Sequence, residues 1–168
     1  RLAKLVGGRD IDVSRLYFLL VRILRTIIQS SGLSEKLGIL PIDCLDYRLT
    51  ASLVEAIGDK SAQLADVTTE LSRTKLSKDL TQLLLRIHKI AFETHENAMK
   101  AMFSRDIALA EALRNERKSV ENLEIEVKTL VHKHYSDIEP QALAAVSLML
   151  QIYGHGVDIA DLVMPTTQ

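Results

Sequence analysis

The chain has no tryptophan, one cysteine, three prolines and seven glycines, and aromatic residues make up only 4% of it. A single thiol, Cys44, excludes a disulfide framework and a thiolate metal cage, and it suits a reducing, cytoplasmic setting. So few aromatics speak against a surface that stacks nucleobases or sugars. Neither sign of charge prevails. Lys and Arg number 21 against 22 Asp and Glu, which leaves no electrostatic footprint for nucleic acid. Long apolar runs are missing as well: the richest stretch, Leu16 to Ile28, is cut by Arg22 and Arg25 and is too short to cross a bilayer, so no membrane insertion is expected. There is no glycine-rich phosphate loop, and no serine or cysteine sits in a nucleophile elbow. No histidine follows a glutamate by three residues, as a di-iron carboxylate bundle would need. His88 and His95 share a helix face, but His95-Glu96 lacks the second histidine of a zinc-protease helix. An enzyme is not expected, and no catalytic residue is assigned.

What is present is a helical composition. The chain is 47% hydrophobic and 26% charged over 168 residues, enough for one domain or two small ones with a real core. No segment alternates with period two over a useful length, so the fold class is all-α. The punctuation predicts a short helix over residues 1–8 closed by Gly7 and Gly8, then a helix over 10–30 opened by Asp10 and Asp12. Ser30 to Pro41 reads as a loop. Helices follow over about 43–72, 77–104, 107–115 and 117–135, and a last one carries Pro140 in its first turn and stops before Pro165. The helix over 10–30 is apolar on nearly every side, with a narrow polar ridge of Arg15, Arg22 and Gln29, so most of its circumference should be covered.

The stretch Leu53 to Asp66 stands out. Leu53, Ile57, Leu64 and Leu71 recur as a packing seam, and Glu55, Asp59 and Asp66 fall on the opposite face, separated only by small residues such as Gly58 and Ala62. Three readings compete for that face: a solvated acidic surface, a metal site shared with Asp10 or Asp12, and a protein-docking surface.

The last helix repeats this one. Leu53, Ile57, Leu64, Ala65 and Asp66 match Leu148, Ile152, Ile159, Ala160 and Asp161 at a constant offset of 95 residues. A weaker match sets Leu2, Ala3, Val13 and Leu16 against Leu109, Ala110, Val120 and Leu123 at an offset of 107. The expected organisation is therefore two similar bundles in tandem, residues 1–75 and 76–168. The first lacks the counterpart of the long helix that opens the second. Its groove should be filled by an upstream segment, by the other repeat or by a second chain, and a homodimer is expected.

Leu53-Val54-Glu55-Ala56-Ile57-Gly58-Asp59-Lys60-Ser61-Ala62-Gln63-Leu64-Ala65-Asp66 resembles the signature of PhoU proteins, the phosphate uptake regulators. Ala98 to Ala110, with Arg105-Asp106 at its centre, is similar to that family's helix-break segment. Asp12 to Arg22 resembles an archaeal branch in which an AbrB-type DNA-binding domain often precedes the PhoU part. The resemblance runs through essentially the whole chain. It implies two tandem three-helix bundles of spectrin-repeat-like form, the first without its first long helix. It also implies a non-enzymatic role in phosphate uptake and homeostasis, exerted through contact with a phosphate transporter or a sensor protein. Two alternatives accompany it: a metal-binding bundle, and the effector half of a transcriptional regulator, with no direct nucleic-acid binding by this segment.

Some members of that family hold iron or zinc on Glu/Asp-x-x-x-Asp motifs, so iron or zinc on surface carboxylates is the cofactor the resemblance implies. Carried over position by position, Glu55 and Asp59 keep the motif, and Asp10 is present while Ser14 is not an acid. The last helix has Leu150 and Gly154 at the matching positions, and the helix over 117–135 has Arg117 and Glu121. The candidate metal residues are Glu55, Asp59 and Asp10.

Overall fold

The computed structural model describes residues 2–163, and every regular element among them is helical. In chain order they are α1 (Leu2–Gln29), α2 (Ser31–Leu37), α3 (Pro41–Leu71), α4 (Lys78–Ser104), α5 (Ile107–Asn115), α6 (Arg117–His134), a 3-10 turn at Ser136–Ile138, and α7 (Glu139–Asp161). The chain is all-α, as expected.

Three local expectations change. Gly7 and Gly8 do not end a short helix but lie within α1, where nothing approaches the space a Cβ would fill at either. Each costs about 1 kcal/mol against alanine, and the long apolar helix continues through them. The stretch expected as a loop before Pro41 contains α2. The Ser30 side chain accepts a hydrogen bond from Leu33 N at 3.3 Å, and Gly38, at φ 64°, closes the helix. Ser30 and Gly38 are thus a helix cap at each end. Pro41 is the first residue of α3, where its missing N–H costs little. Asp43 reinforces that start by accepting from Leu40 N at 3.0 Å.

α1 and α3 form an antiparallel hairpin. Leu24 and Ile27, late in α1, enclose Cys44, early in α3, and Val13 packs on Gly58 further along. α3 then runs antiparallel to α7: Leu71 at its end shares a cluster with Ala142 and Val146, and Tyr47 at its start reaches the cluster of Ile159 and Ala160. α4 lies parallel to α7, with Leu80, Leu83, Ile87, Ala91 and Ala98 buried along the contact. The approach is close enough that a Cβ on Gly156 would stand 3.0 Å from Thr94 Cγ2 and 3.2 Å from His95 N. α5 and α6 return between them, and the seam of Val120, Leu123 and Val127 on α6 is buried. α4, α5–α6 and α7 therefore make a three-helix bundle. The first half supplies two long helices, α1 and α3.

The segment Ser136–Asp161, essentially α7, is the one stretch among the described residues long and apolar enough to cross a membrane. Its apolar surface is used inside the protein, against α3, α4, α5 and α6. Two arginines fasten the ends. Arg105 closes α4 in the left-handed conformation, φ 54°, and donates to Asp43 Oδ1 at 2.9 Å, joining the end of α4 to the start of α3. Arg114 pairs with Asp161 and donates to the Ala160 carbonyl at 3.0 Å, satisfying an open carbonyl at the end of α7.

Candidate functional site

The acidic face of α3 is not uniformly solvated. At Glu55 and Gly58 it is covered by α1, and Ser14 Oγ donates to Glu55 Oε1 at 3.1 Å. Gly58 makes the approach close: a Cβ there would lie 3.3 Å from Val13 Cγ1 and 3.5 Å from Asp10 Oδ1. Asp10 is half-buried, and its Oδ1 is shut from solvent without a hydrogen-bond partner. Asp59 is half-buried one turn beyond Glu55, whereas Asp66 is exposed. Asp12 points away from this contact into an exposed ion pair with Arg15, 3.7 Å apart. The fold thus brings Asp10 and Glu55 to the same α1–α3 contact. Among the described residues no group of three or more His, Cys, Asp or Glu side chains is placed to hold a metal ion.

The second half has a different arrangement at the corresponding place. Tyr153 occupies the position that Gly58 has in the first repeat, and its ring fills the space there, 7% exposed with its hydroxyl buried and unpartnered. Tyr153 lines a hollow of about 320 Å³ together with Arg117, Glu121 and Asp158. Burial, then the charges of Glu116 and Glu121, push its pKa above the ordinary tyrosine value, with Arg117 opposing them. Motif matching passed over Tyr153. The exchange of glycine for tyrosine between the repeats was the signal available in the sequence.

A concave apolar feature lies between α1, α3 and α4. One hollow of about 800 Å³ is lined by Leu2 and Val6 of α1, Ile57 and Leu64 of α3, and His88, Phe92 and His95 of α4. A second, of about 460 Å³, is lined by Val13, Leu16 and Leu20, by Tyr47, Thr50 and Val54, and by Met99 and Phe103. The lining residues run on along all three helices, so the hollows are successive stretches of one apolar groove. The internal repeat explains its origin. Leu16 corresponds to Leu123 and Leu20 to Val127, which are 5% and 0% exposed because α4 covers them; Leu16 and Leu20 are 64% and 36% exposed. The groove is the first half's counterpart of the seat that α4 fills in the second. Thr50, 5% exposed, leaves its hydroxyl without a partner at the groove wall.

The histidines are dispersed. His88 and His95 line the groove from one face of α4, as their spacing predicts. His95 is half-buried with Nδ1 unpartnered, and burial lowers its pKa, partly offset by Glu96. His132 Nδ1 lies 3.2 Å from Glu139, and His155 Nδ1 3.5 Å from Asp158.

Residues 84–164, from within α4 to just past α7, match the family model described as the PhoU domain. The second half of the chain thus carries a PhoU domain. No curated protein and no solved structure matches the chain. The PhoU match spans most of the three-helix bundle of the second half, nearly half of the chain, and leaves α1–α3 outside it. A PhoU domain suggests a role in the regulation of phosphate homeostasis.

Proposed function

We propose that this chain regulates phosphate uptake without catalysing a reaction, by docking its helical faces on a cytoplasmic component of a phosphate transport or sensing system. The observation that carries the reading is the PhoU domain itself, folded as a bundle whose buried residues are almost wholly apolar. The test is phosphate uptake in a cell whose own phosphate-uptake regulator has been deleted. Expression of the chain should restore repression of uptake in phosphate-rich medium. Uptake that stays unrepressed while the protein accumulates would sink the proposal.

A second reading, a metal-binding bundle, is favoured by the unpartnered, solvent-shut Oδ1 of Asp10 beside Gly58. A cation held there would take Asp10 and Glu55, with Asp59 the nearest further acid on α3, and fill its shell with water, as hard cations do on carboxylates. Iron and zinc are the metals to assay. Elemental analysis of purified protein should find about one metal per chain on this reading, and Asp10→Asn should abolish it. Substoichiometric metal that is unchanged in the variant rejects the site.

A further inference from the structure

One face of α1 belongs neither to its contact with α3 nor to the groove. Ile11, Arg15, Phe18, Arg22 and Arg25, at steps of four, three, four and three residues, form a single stripe along the helix, and all five are exposed. Val13, Leu24 and Ile27, which pack on α3, lie on the opposite side. The internal repeat separates this stripe from the groove. At the offset of 107 residues, Arg15, Phe18, Arg22 and Arg25 correspond to Asn122, Ile125, Thr129 and His132 of α6, which stay exposed in the three-helix bundle of the second half. A helix filling the groove over Leu16 and Leu20 therefore leaves the stripe in solvent.

We propose that this stripe lies on the surface of a bilayer carrying anionic lipid, along the membrane and without crossing it. Its charge is of one sign. From Val13 to Ser34 there are three arginines and no acid, although over the whole chain the two signs balance at 21 and 22. The matching stretch of α6 mixes them, with Glu121, Glu124 and Glu126 beside Lys128 and Lys133. Arg22 and Arg25 form no ion pair among the described residues, and Arg15 has only its exposed 3.7 Å contact with Asp12. Three guanidinium groups in line complement lipid phosphates, whose oxygens match their fork of donors. Apolar side chains are interleaved with them: Ile11 and Phe18 are 57% and 61% exposed, and Leu19 beside them 46%. A nucleic acid or an acidic peptide would meet the charges and leave these three in water. The headgroup layer takes both, with the arginine heads at the phosphates and the apolar groups just beneath. Shape points the same way. α1 packs on α3 and α2, so its outer face is a convex ridge with no groove to seat a partner helix. The ridge runs about 21 Å from Ile11 to Arg25, and a flat surface meets all of it at once.

This inference does not rest on the phosphate reading, and uptake plays no part in its test. Flotation with vesicles tests it, comparing equal parts of phosphatidylglycerol and phosphatidylcholine with phosphatidylcholine alone. Circular dichroism confirms unchanged helix content in every variant. The chain should bind the anionic vesicles and not the neutral ones, and binding should weaken as salt rises. An arginine near an anionic surface strengthens binding about fivefold, so Arg22→Gln with Arg25→Gln should weaken it about twenty-fivefold. Phe18→Ser should weaken it about fivefold. Lys118→Gln with Lys133→Gln removes the same charge from α6 and should leave binding unchanged. A chain that ignores anionic vesicles, or binds neutral ones equally well, would overturn the proposal. So would equal losses in the α1 and α6 double variants. Binding to polyglutamate but not to vesicles would assign the ridge to an acidic protein and overturn it as well.

Discussion

Gly154 and Gly156, two residues apart on α7, respond oppositely to the same added atom. A Cβ at Gly154 enters open space, whereas one at Gly156 meets Thr94 and the backbone of His95 within 3.2 Å. Gly154→Ala is therefore expected to stabilise the protein by up to about 1 kcal/mol through helix propensity. Gly156→Ala should destabilise it by about 1–3 kcal/mol, because α4 and α7 must part. Urea denaturation of the two variants checks both signs. Asp106 offers a third measure: its side chain accepts from Leu109 N at 3.0 Å and starts α5, so Asp106→Ala should cost about 1 kcal/mol. The break at Arg105-Asp106 was legible in the sequence because an N-cap is a local device. The close approach at Gly156 was not, since nothing within one helix reveals what the next helix places opposite it. Asp10 and Glu55 were legible as acids on facing helices, but the hydrogen bond from Ser14 was not.

At the scale of elements, α1 and α2 show where local punctuation misleads. Gly7 and Gly8 carry an ordinary helix-ending signal, yet α1 passes through them. Ser30 and Gly38 carry an ordinary loop signal, yet they bound a helix of two turns. The same residue types serve as breaks, caps or passive spacers, and the neighbouring apolar spacing decides among them. On α4 the sequence placed His88 and His95 on one face, and both line the groove. Burial of His95 has a consequence in pH. Its pKa is lowered on folding, so the unfolded chain binds the proton more readily. The stability it allows is complete above the unfolded value, about 6.5, and falls as pH drops through the lower folded value. Urea midpoints should decline from neutral pH to about pH 5, and His95→Gln should flatten part of that decline. An unchanged slope in the variant would show that another group carries it.

For the molecule as a whole, the repeat was the most informative thing in the sequence. It set α3 and α7 as counterparts, and a groove over Leu16 and Leu20 lies where α4 covers the matching Leu123 and Val127 of the second half. The sequence could not show that α3 lies antiparallel against α7, so that Ile57 and Leu71 belong to the core of the second half. Pairing between repeats depends on surfaces far apart in the chain. One small feature gains a use from this layout. Cys44, 1% exposed, sits with Leu24 and Ile27 in a cluster separate from the main core, and burial and the charge of Asp43 both raise its thiol pKa. A thiol reagent can reach it when α1 or α2 lifts from α3, so the rate of modification is a clock for the local opening of the first half. Modification should proceed with a weaker dependence on urea than global unfolding has. The single thiol of the chain would then report on the hold of the first half's helices on one another without any label being introduced.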